Sequence, residues 1–385
     1  MKKKIVRITT IPESLSILLK GQLKFMADHY EVIGISSSHN KILEQVGNNE
    51  GVKVFPVEMT RKITPFKDLK AAWELYKVFK KEKPFIVHTH TPKAGTLGML
   101  AAYMAKVPNR LHTIAGLPLL EAKGAKRFLL DTVEKLTYGC ATKIYPNSFG
   151  LRDIILKEGY TSKSKIKVIA KGSSNGIDTN QFNPETFSET EKQNLRKSLN
   201  IDENDFVYIF VGRLVKDKGI NELIEAFKKI ASEFNNTKLL LVGPYEKGLD
   251  PLLPVTQDFI NSSKQVIAVG WQRDVRPYFA ISNCLVFPSY REGFPNVVMQ
   301  AGAMGLKSIA TNINGCNEII IEGENGTLIP PKDVVTLFES MKLFLIQGKS
   351  DDASAKRCRD LIVERYSQKF IWNAILTEYR TLETS

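Results

Sequence analysis

The chain has 385 residues, 43% of them hydrophobic and 25% charged, with four cysteines and a formal charge of +13. That balance is that of a soluble globular protein and argues against disorder, and the length calls for two units of about 180 residues each. No apolar run approaches the ~18 residues of a membrane span, and the cysteines, lacking CxxC spacing, read as free thiols of a reducing cytoplasm with neither disulfide nor zinc frame. The basic start Met1-Lys-Lys-Lys-Ile-Val-Arg7 has no apolar core behind it, because Arg7 and Pro12 interrupt it. It is read as a first strand, not a leader.

That strand covers Lys4–Thr10, and an amphipathic helix over Glu13–Tyr30 is expected next. Val32–Ser36, Val52–Val57, Ile86–His90, Arg110–Ile114, Lys143–Pro146 and Ile166–Ile169 read as further strands. Between them fall helices at Lys41–Val46, Pro65–Lys83, Gly95–Met104, Leu119–Tyr138 and Phe149–Glu158. The Pro65–Lys83 pattern sets Leu69, Ala72, Trp73, Tyr76 and Phe79 on one face and lysines around the other. Strands alternating with helices at this spacing imply right-handed βαβ units and a parallel sheet covered on both faces.

Lys171–Asn180, rich in turn formers and followed by Asn183-Pro184, is the linker candidate. The alternation then restarts with strands Phe206–Val211, Lys238–Val242, Val266–Val269, Cys284–Pro288 and Ser308–Thr311. Helices are expected at Gly219–Glu233, Asp274–Ser282, Asn296–Met304, Thr336–Gln347 and Asp352–Ser367, with an amphipathic tail over Gln368–Leu382. Two such doubly wound units would bind ligands beyond the carboxyl ends of their strands.

Two stretches of the second half carry chemistry. After its first strand, Gly212 turns the backbone, Arg213 and Lys218 can both reach a diphosphate, and Gly219 opens a helix. After a later strand, Arg291-Glu292-Gly293 leads into a helix with Pro295 at or near its first turn, where a missing N–H costs nothing. The free N–H groups of that helix attract anions. Glu292 is the one acid at this mouth, so the helix end is read as holding a phosphate while Glu292 grips what the phosphate carries.

Gly212-Arg213 with Lys218-Gly219, followed by Glu292-Gly-Phe-Pro295 opening a helix, resembles the donor site of retaining nucleotide-sugar glycosyltransferases of family four. Val87-His-Thr-His-Thr-Pro-Lys-Ala-Gly95, Ser289–Asn296 and Asn314–Ile319 are similar to segments of its bacterial surface-polysaccharide members, and the likeness spans nearly the whole chain. The resemblance implies two Rossmann-like doubly wound domains facing a cleft (GT-B). Residues 1–180 would be the acceptor side, 181–367 the donor domain, and 368–385 a helix returning to the first domain.

The resemblance also assigns roles. Arg213 and Lys218 would neutralise the leaving diphosphate, helped by the backbone from Gly293 through Phe294 and Pro295 to Asn296. Glu292 would bind hydroxyls of the donor sugar, which is expected to be UDP-linked. Gln300 stands where relatives carry a second Glu on the nucleotide ribose, and Ala115 where many carry a His. His90, Lys93 and Glu13 are assigned to the acceptor side, and no metal or cofactor is expected. Base recognition is expected near Val269–Arg273.

Charge points to a further partner. Residues 1–180 hold 30 Lys/Arg against 15 Asp/Glu, and residues 181–385 hold 24 against 26. Without a basic stripe interleaved with aromatics, that imbalance favours an anionic membrane face over nucleic acid. Lys67–Lys83 and Leu117–Leu130 are the candidate contact, giving a cytoplasmic protein peripheral to the membrane. The expected reaction is transfer of a hexose or N-acetylhexosamine to a polyprenyl-diphosphate-linked saccharide for capsule, O-antigen or exopolysaccharide, with retained configuration. An epimerase on the same fold and a non-catalytic sugar-nucleotide binder remain the alternatives.

Overall fold

The computed structural model describes every residue except Met1, Asn40, Arg61, Pro118, Leu120, Glu121, Lys247, Leu249 and Ser385. The chain divides into two compact units, Met1–Gly176 with Lys369–Ser385, and Ile177–Gln368.

The first unit runs β1 (Lys4–Ile8), α1 (Pro12–Leu18), α2 (Gln22–Ala27), β2 (Glu31–Ser36), α3 (Ile42–Glu50), β3 (Lys53–Pro56), α4 (Pro65–Glu82), β4 (Ile86–Thr89), α5 (Pro92–Met104), β5 (Asn109–Ile114), α6 (Gly124–Cys140), β6 (Lys143–Pro146) and α7 (Phe149–Lys157). Its strands are all parallel, in the order β3-β2-β1-β4-β5-β6. Ile5, Val6 and Ile8 are fully buried because helices cover both faces of the sheet. Pro12, Pro65 and Pro92 begin three of the helices, where no backbone N–H is needed.

Three expectations for this unit are corrected. The single helix over Glu13–Tyr30 is two helices, because the Glu50 carboxylate accepts Gly21 N at 2.7 Å and Lys24 N at 3.0 Å and starts α2 afresh. Ile166–Ile169 is not a strand and makes only one bridge, Ile166 to Ile144. On α4 the buried face is Ala71, Ala72, Leu75 and Phe79, which turns Leu69 and Trp73 outward. Of the segment Leu117–Leu130, Pro118, Leu120 and Glu121 lie outside the described residues.

The second unit runs α8 (Glu189–Ser198), β7 (Phe206–Val211), α9 (Ile220–Glu233), β8 (Thr237–Val242), α10 (Pro254–Ser262), β9 (Val266–Gly270), α11 (Arg276–Ala280), β10 (Cys284–Phe287), α12 (Asn296–Ala303), β11 (Lys307–Thr311), α13 (Cys316–Ile319), β12 (Gly326–Ile329), α14 (Val334–Gln347) and α15 (Asp352–Tyr366). The order β12-β11-β10-β7-β8-β9 is that of the first sheet, with β7 and β10 in the places of β1 and β4. In each sheet the order reverses between those two strands, which opens a crevice at their carboxyl ends. The final helix, α16 (Gln368–Thr381), buries Ile371, Ile375, Leu376 and Tyr379 in the first unit's core.

Candidate active site

The crevice of the second sheet is built by loops that press backbone against backbone. Gly219, after β7, has φ +71°, and a Cβ there would stand 2.1 Å from the Pro288 carbonyl oxygen at the exit of β10. Only glycine satisfies both conditions. Gly315, after β11, packs in the same way: its Cβ would lie 2.7 Å from Phe294 Cα and 2.8 Å from Gly293 O. Three loops distant in sequence are thereby fixed around the segment that carries Glu292.

Within them Lys218 Nζ lies 2.5 Å from Glu292 Oε1, and the two side chains are only 18% and 17% exposed. Ser289, fully buried, donates to the same carboxylate oxygen at 2.9 Å, and its own carbonyl accepts from Thr311 Oγ1 at 2.6 Å. Tyr290 N donates to Asp217 O at 2.9 Å, and Arg291 pairs with the Asp217 carboxylate at 3.2 Å. Glu292 is therefore held by its neighbours on both sides, not by chance rotamer.

Cys316 is buried beside this pair. Burial, and then the Glu292 charge, push its thiol above the ordinary cysteine range, with Lys218 opposing. Such a thiol stays protonated and is no nucleophile.

Arg213 stands apart. Its guanidinium pairs with the Glu246 carboxylate, on the loop after β8, and is half exposed. Gly212 N donates to Val242 O at 2.9 Å, and Gly243 N to Gly270 O at 2.8 Å, which ties the exits of β7, β8 and β9 together. Trp271 follows there with an exposed ring.

Pro295 is the N-cap of α12, one residue before the helix, and no side chain caps that end. The first-turn N–H groups are thus open to an anion. Asn296 is exposed at the helix start and Gln300 half-buried one turn on. Phe294 packs into the core with its ring 5.4 Å from that of Tyr366, so it can serve a ligand only through its backbone.

In the first unit the three acceptor-side candidates do not bond to one another. Lys93 pairs with Asp68 at 2.5 Å, and Glu13 Oε1 with His39 Nδ1 at 2.6 Å. His90 is buried, with Nε2 facing the Arg7 guanidinium. His88 uses both ring nitrogens, on Tyr379 OH at 2.6 Å and Thr113 Oγ1 at 2.7 Å. Burial, reinforced by neighbouring positive charge, holds both histidines well below their ordinary pKa and keeps them neutral. Ser289, Asp217, Glu246 and Arg7 are not among the residues that the sequence motifs offer as site residues. Arg7 alone carries a signal, a lone charge inside an apolar strand.

Residues 191–360 match the family described as Glycosyl transferases group 1, and residues 7–148 the family described as Glycosyl transferase 4-like. The capsular polysaccharide biosynthesis glycosyltransferase CapM of Staphylococcus aureus is 34% identical over 379 residues, covering 98% of this chain and 97% of that protein. The chain belongs to this glycosyltransferase family.

Another relative of the glycosyltransferase is the Escherichia coli UDP-Gal:α-D-GlcNAc-diphosphoundecaprenol α-1,3-galactosyltransferase, 31% identical and covering 83% of this chain and 81% of that one. Among solved structures, Anabaena HepE in complex with UDP superposes with a TM-score of 0.79 at 18% identity, over 99% of this chain and 100% of that one. A glycosyltransferase from Rickettsia africae gives the same score at 19% identity, over 99% and 98%. The two six-stranded sheets are those of the GT-B fold, and the sequence relatives place the chain among glycosyltransferases of surface-polysaccharide biosynthesis.

Proposed function

We propose that this glycosyltransferase moves a hexose or N-acetylhexosamine from a UDP-linked donor to a lipid-diphosphate-linked saccharide, with retained configuration and without a metal. The observation that carries the reading is the Lys218–Glu292 pair at 2.5 Å beside the uncapped start of α12. An arriving diphosphate takes Lys218 and the α12 N–H groups. Glu292 is then released to accept hydrogen bonds from hydroxyls of the donor sugar. Arg213, freed from Glu246, adds a second positive charge to the leaving diphosphate. Trp271, exposed beside Gly270, offers a ring to the base, and Gln300 a neutral contact to the ribose.

Retention follows from same-face attack. The acceptor oxygen bonds to the anomeric carbon as the bond to the diphosphate breaks, and a phosphate oxygen takes the acceptor's proton. Glu292 is engaged by Lys218 and Ser289, while Asp217 pairs with Arg291 and Glu246 with Arg213. Glu292 is therefore assigned to binding and not to a covalent intermediate. Names of two relatives support the substrates: the E. coli protein is named for UDP-Gal and a diphosphoundecaprenol acceptor, and a Campylobacter jejuni protein for an acceptor of the same lipid class.

A membrane-facing surface suits such an acceptor. Phe66 is 90% exposed, Leu69 67% and Trp73 51% on α4, and Phe128 is 76% exposed on α6. Both helices pack on α5 and start at the carboxyl edge of the first sheet. Lys67, Lys70, Lys77, Lys123 and Lys126 are exposed around them. Apolar side chains ringed by lysines bind an anionic lipid face peripherally, and no helix among the described residues is long and apolar enough to cross it. The cytoplasmic leaflet is the proposed location.

The deciding experiment incubates the enzyme with UDP-sugars and a lipid-diphosphate N-acetylhexosamine, with and without EDTA, and reads the new linkage by NMR. An α-linked product from an α-configured donor, formed in both conditions, is expected. A β-linked product overturns retention, and an epimerised donor without acceptor product overturns transfer. Liposome flotation tests the surface: binding to anionic vesicles at low salt should be lost in Phe66→Ser/Trp73→Ser.

A further inference from the structure

We propose that the buried pocket at the switch point of the first sheet, lined by His90, Asn147, Ser173 and Ser174, is a subsite for a single hydroxyl of the saccharide acceptor. The proposal rests on the glycosyl-transfer reading and adds to it a place and a chemistry in the other unit.

Arg7, on β1, is fully buried. Its Nε and Nη2 both point at His90 Nε2, at 3.0 and 2.8 Å. A guanidinium only donates, so Nε2 must be the acceptor and the ring proton must sit on Nδ1. Gln22 leaves no freedom in this arrangement. Its Oε1 accepts from Arg7 Nη2, while its Nε2 donates to Ser174 O at 3.1 Å and to Asn175 Oδ1 at 2.9 Å. The result is a His90 N–H of fixed direction, buried and with no protein partner.

Asn147 supplies the complement. Both of its backbone groups are engaged at the end of β6, N on Ile114 O at 2.9 Å and O by Ser173 N at 2.8 Å. Its side-chain oxygen, also buried, has no partner. Both side chains line a cavity of about 10 Å³, room for one oxygen-centred group and not for a phosphate. A hydroxyl accepts from an N–H and donates to an amide oxygen at once, whereas a phosphate or carbonyl oxygen meets only the first need.

Location supplies a second argument. His90 follows β4 and Arg7 lies on β1, the strands between which the sheet order reverses. That is where open α/β sheets receive ligands. Arg7 is a positioning residue, acting through the His90 tautomer.

The test uses Asn147→Ala and His90→Phe in the full-length protein, with melting temperature as the check on folding and UDP affinity by calorimetry as the check on the donor site. In Asn147→Ala the KM for a lipid-diphosphate-linked N-acetylhexosamine should rise about tenfold, with UDP affinity unchanged. His90→Phe should do the same if it folds; Asn147→Ala stands on its own if it does not. An unchanged acceptor KM in folded Asn147→Ala means that the cavity holds water only, and overturns the proposal. A parallel loss of UDP affinity overturns it too.

Imidazole ¹⁵N spectra read the site without turnover. His90 should be Nδ1-protonated at neutral pH, and its Nδ1 signal should move when the same acceptors are added. No movement with any of them counts against the subsite even where UDP binds. Absence of UDP binding in the wild type would instead strike the donor reading alone.

Discussion

The two sheets share one strand order, yet their switch points are furnished in opposite ways. In the second unit Lys218, after β7, meets Glu292, after β10, as an ion pair open to solvent at its edge. In the first unit Arg7, on β1, meets His90, after β4, in full burial and without a carboxylate among its hydrogen-bond partners. A pair that keeps some solvent can trade partners with an incoming anion at small cost. A buried guanidinium cannot, because moving it would strand its charge. The first arrangement suits exchange with a ligand, and the second suits a fixed hydrogen-bond donor.

The harshest way to break one switch point and spare the other is Gly219→Ala. A methyl at φ +71° and 2.1 Å from Pro288 O should cost the second unit at least about 3 kcal/mol and its nucleotide affinity. Denaturant melts with hydrogen exchange should show the first unit still protected; equal protection in both units would mean that the loops have rearranged around the methyl.

Acid should single out the first unit instead. All five histidines lie there, at 29, 39, 88, 90 and 112. Burial holds His112 down to about 4, and His88 and His90 well below their ordinary value. Each therefore binds its proton less readily folded than unfolded, so stability falls as pH drops from 6.5 through about 4. His112 alone should contribute on the order of 3 kcal/mol of that loss. Hydrogen exchange at pH 7 and pH 5 should show protection declining first among residues 1–176. A decline beginning in residues 177–368 would contradict the assignment.

The smallest effect concerns Glu246, which competes with a ligand for Arg213. Exposed pairs are worth about 0–1 kcal/mol, so Glu246→Gln should raise UDP affinity only about twofold to fivefold. In an Arg213→Gln background that gain should vanish. A gain that persists there would show that Glu246 acts by general repulsion.

Much of this frame is written locally in the chain. β6 and β7 fall on the residues that their apolar runs mark, Lys143–Pro146 and Phe206–Val211. The strand–loop–helix around Glu292 follows from a strand end, a glycine and a proline. What the sequence hides is which side of a pattern meets the core and which distant residues meet each other. On α4, Leu69 and Trp73 fit the apolar period but lie on the outward edge, because the small Ala71 and Ala72 let the helix sit close. β12 carries no apolar run to mark it, because its four residues, beginning with a glycine, form a half-buried edge strand. Lys218 and Glu292 are 74 positions apart, and Arg7 and His90 are 83 apart. No spacing rule joins either pair.

The claim at the centre is that the second unit's switch point receives the diphosphate of a sugar nucleotide. Titration calorimetry of UDP against the wild type and against Arg213→Ala/Lys218→Ala tests it most directly. Losing two charge-assisted contacts of about 1.5–3 kcal/mol each should weaken binding at least about a hundredfold, while the variant keeps its melting transition. Equal affinity in the two proteins would place the nucleotide elsewhere and contradict the account.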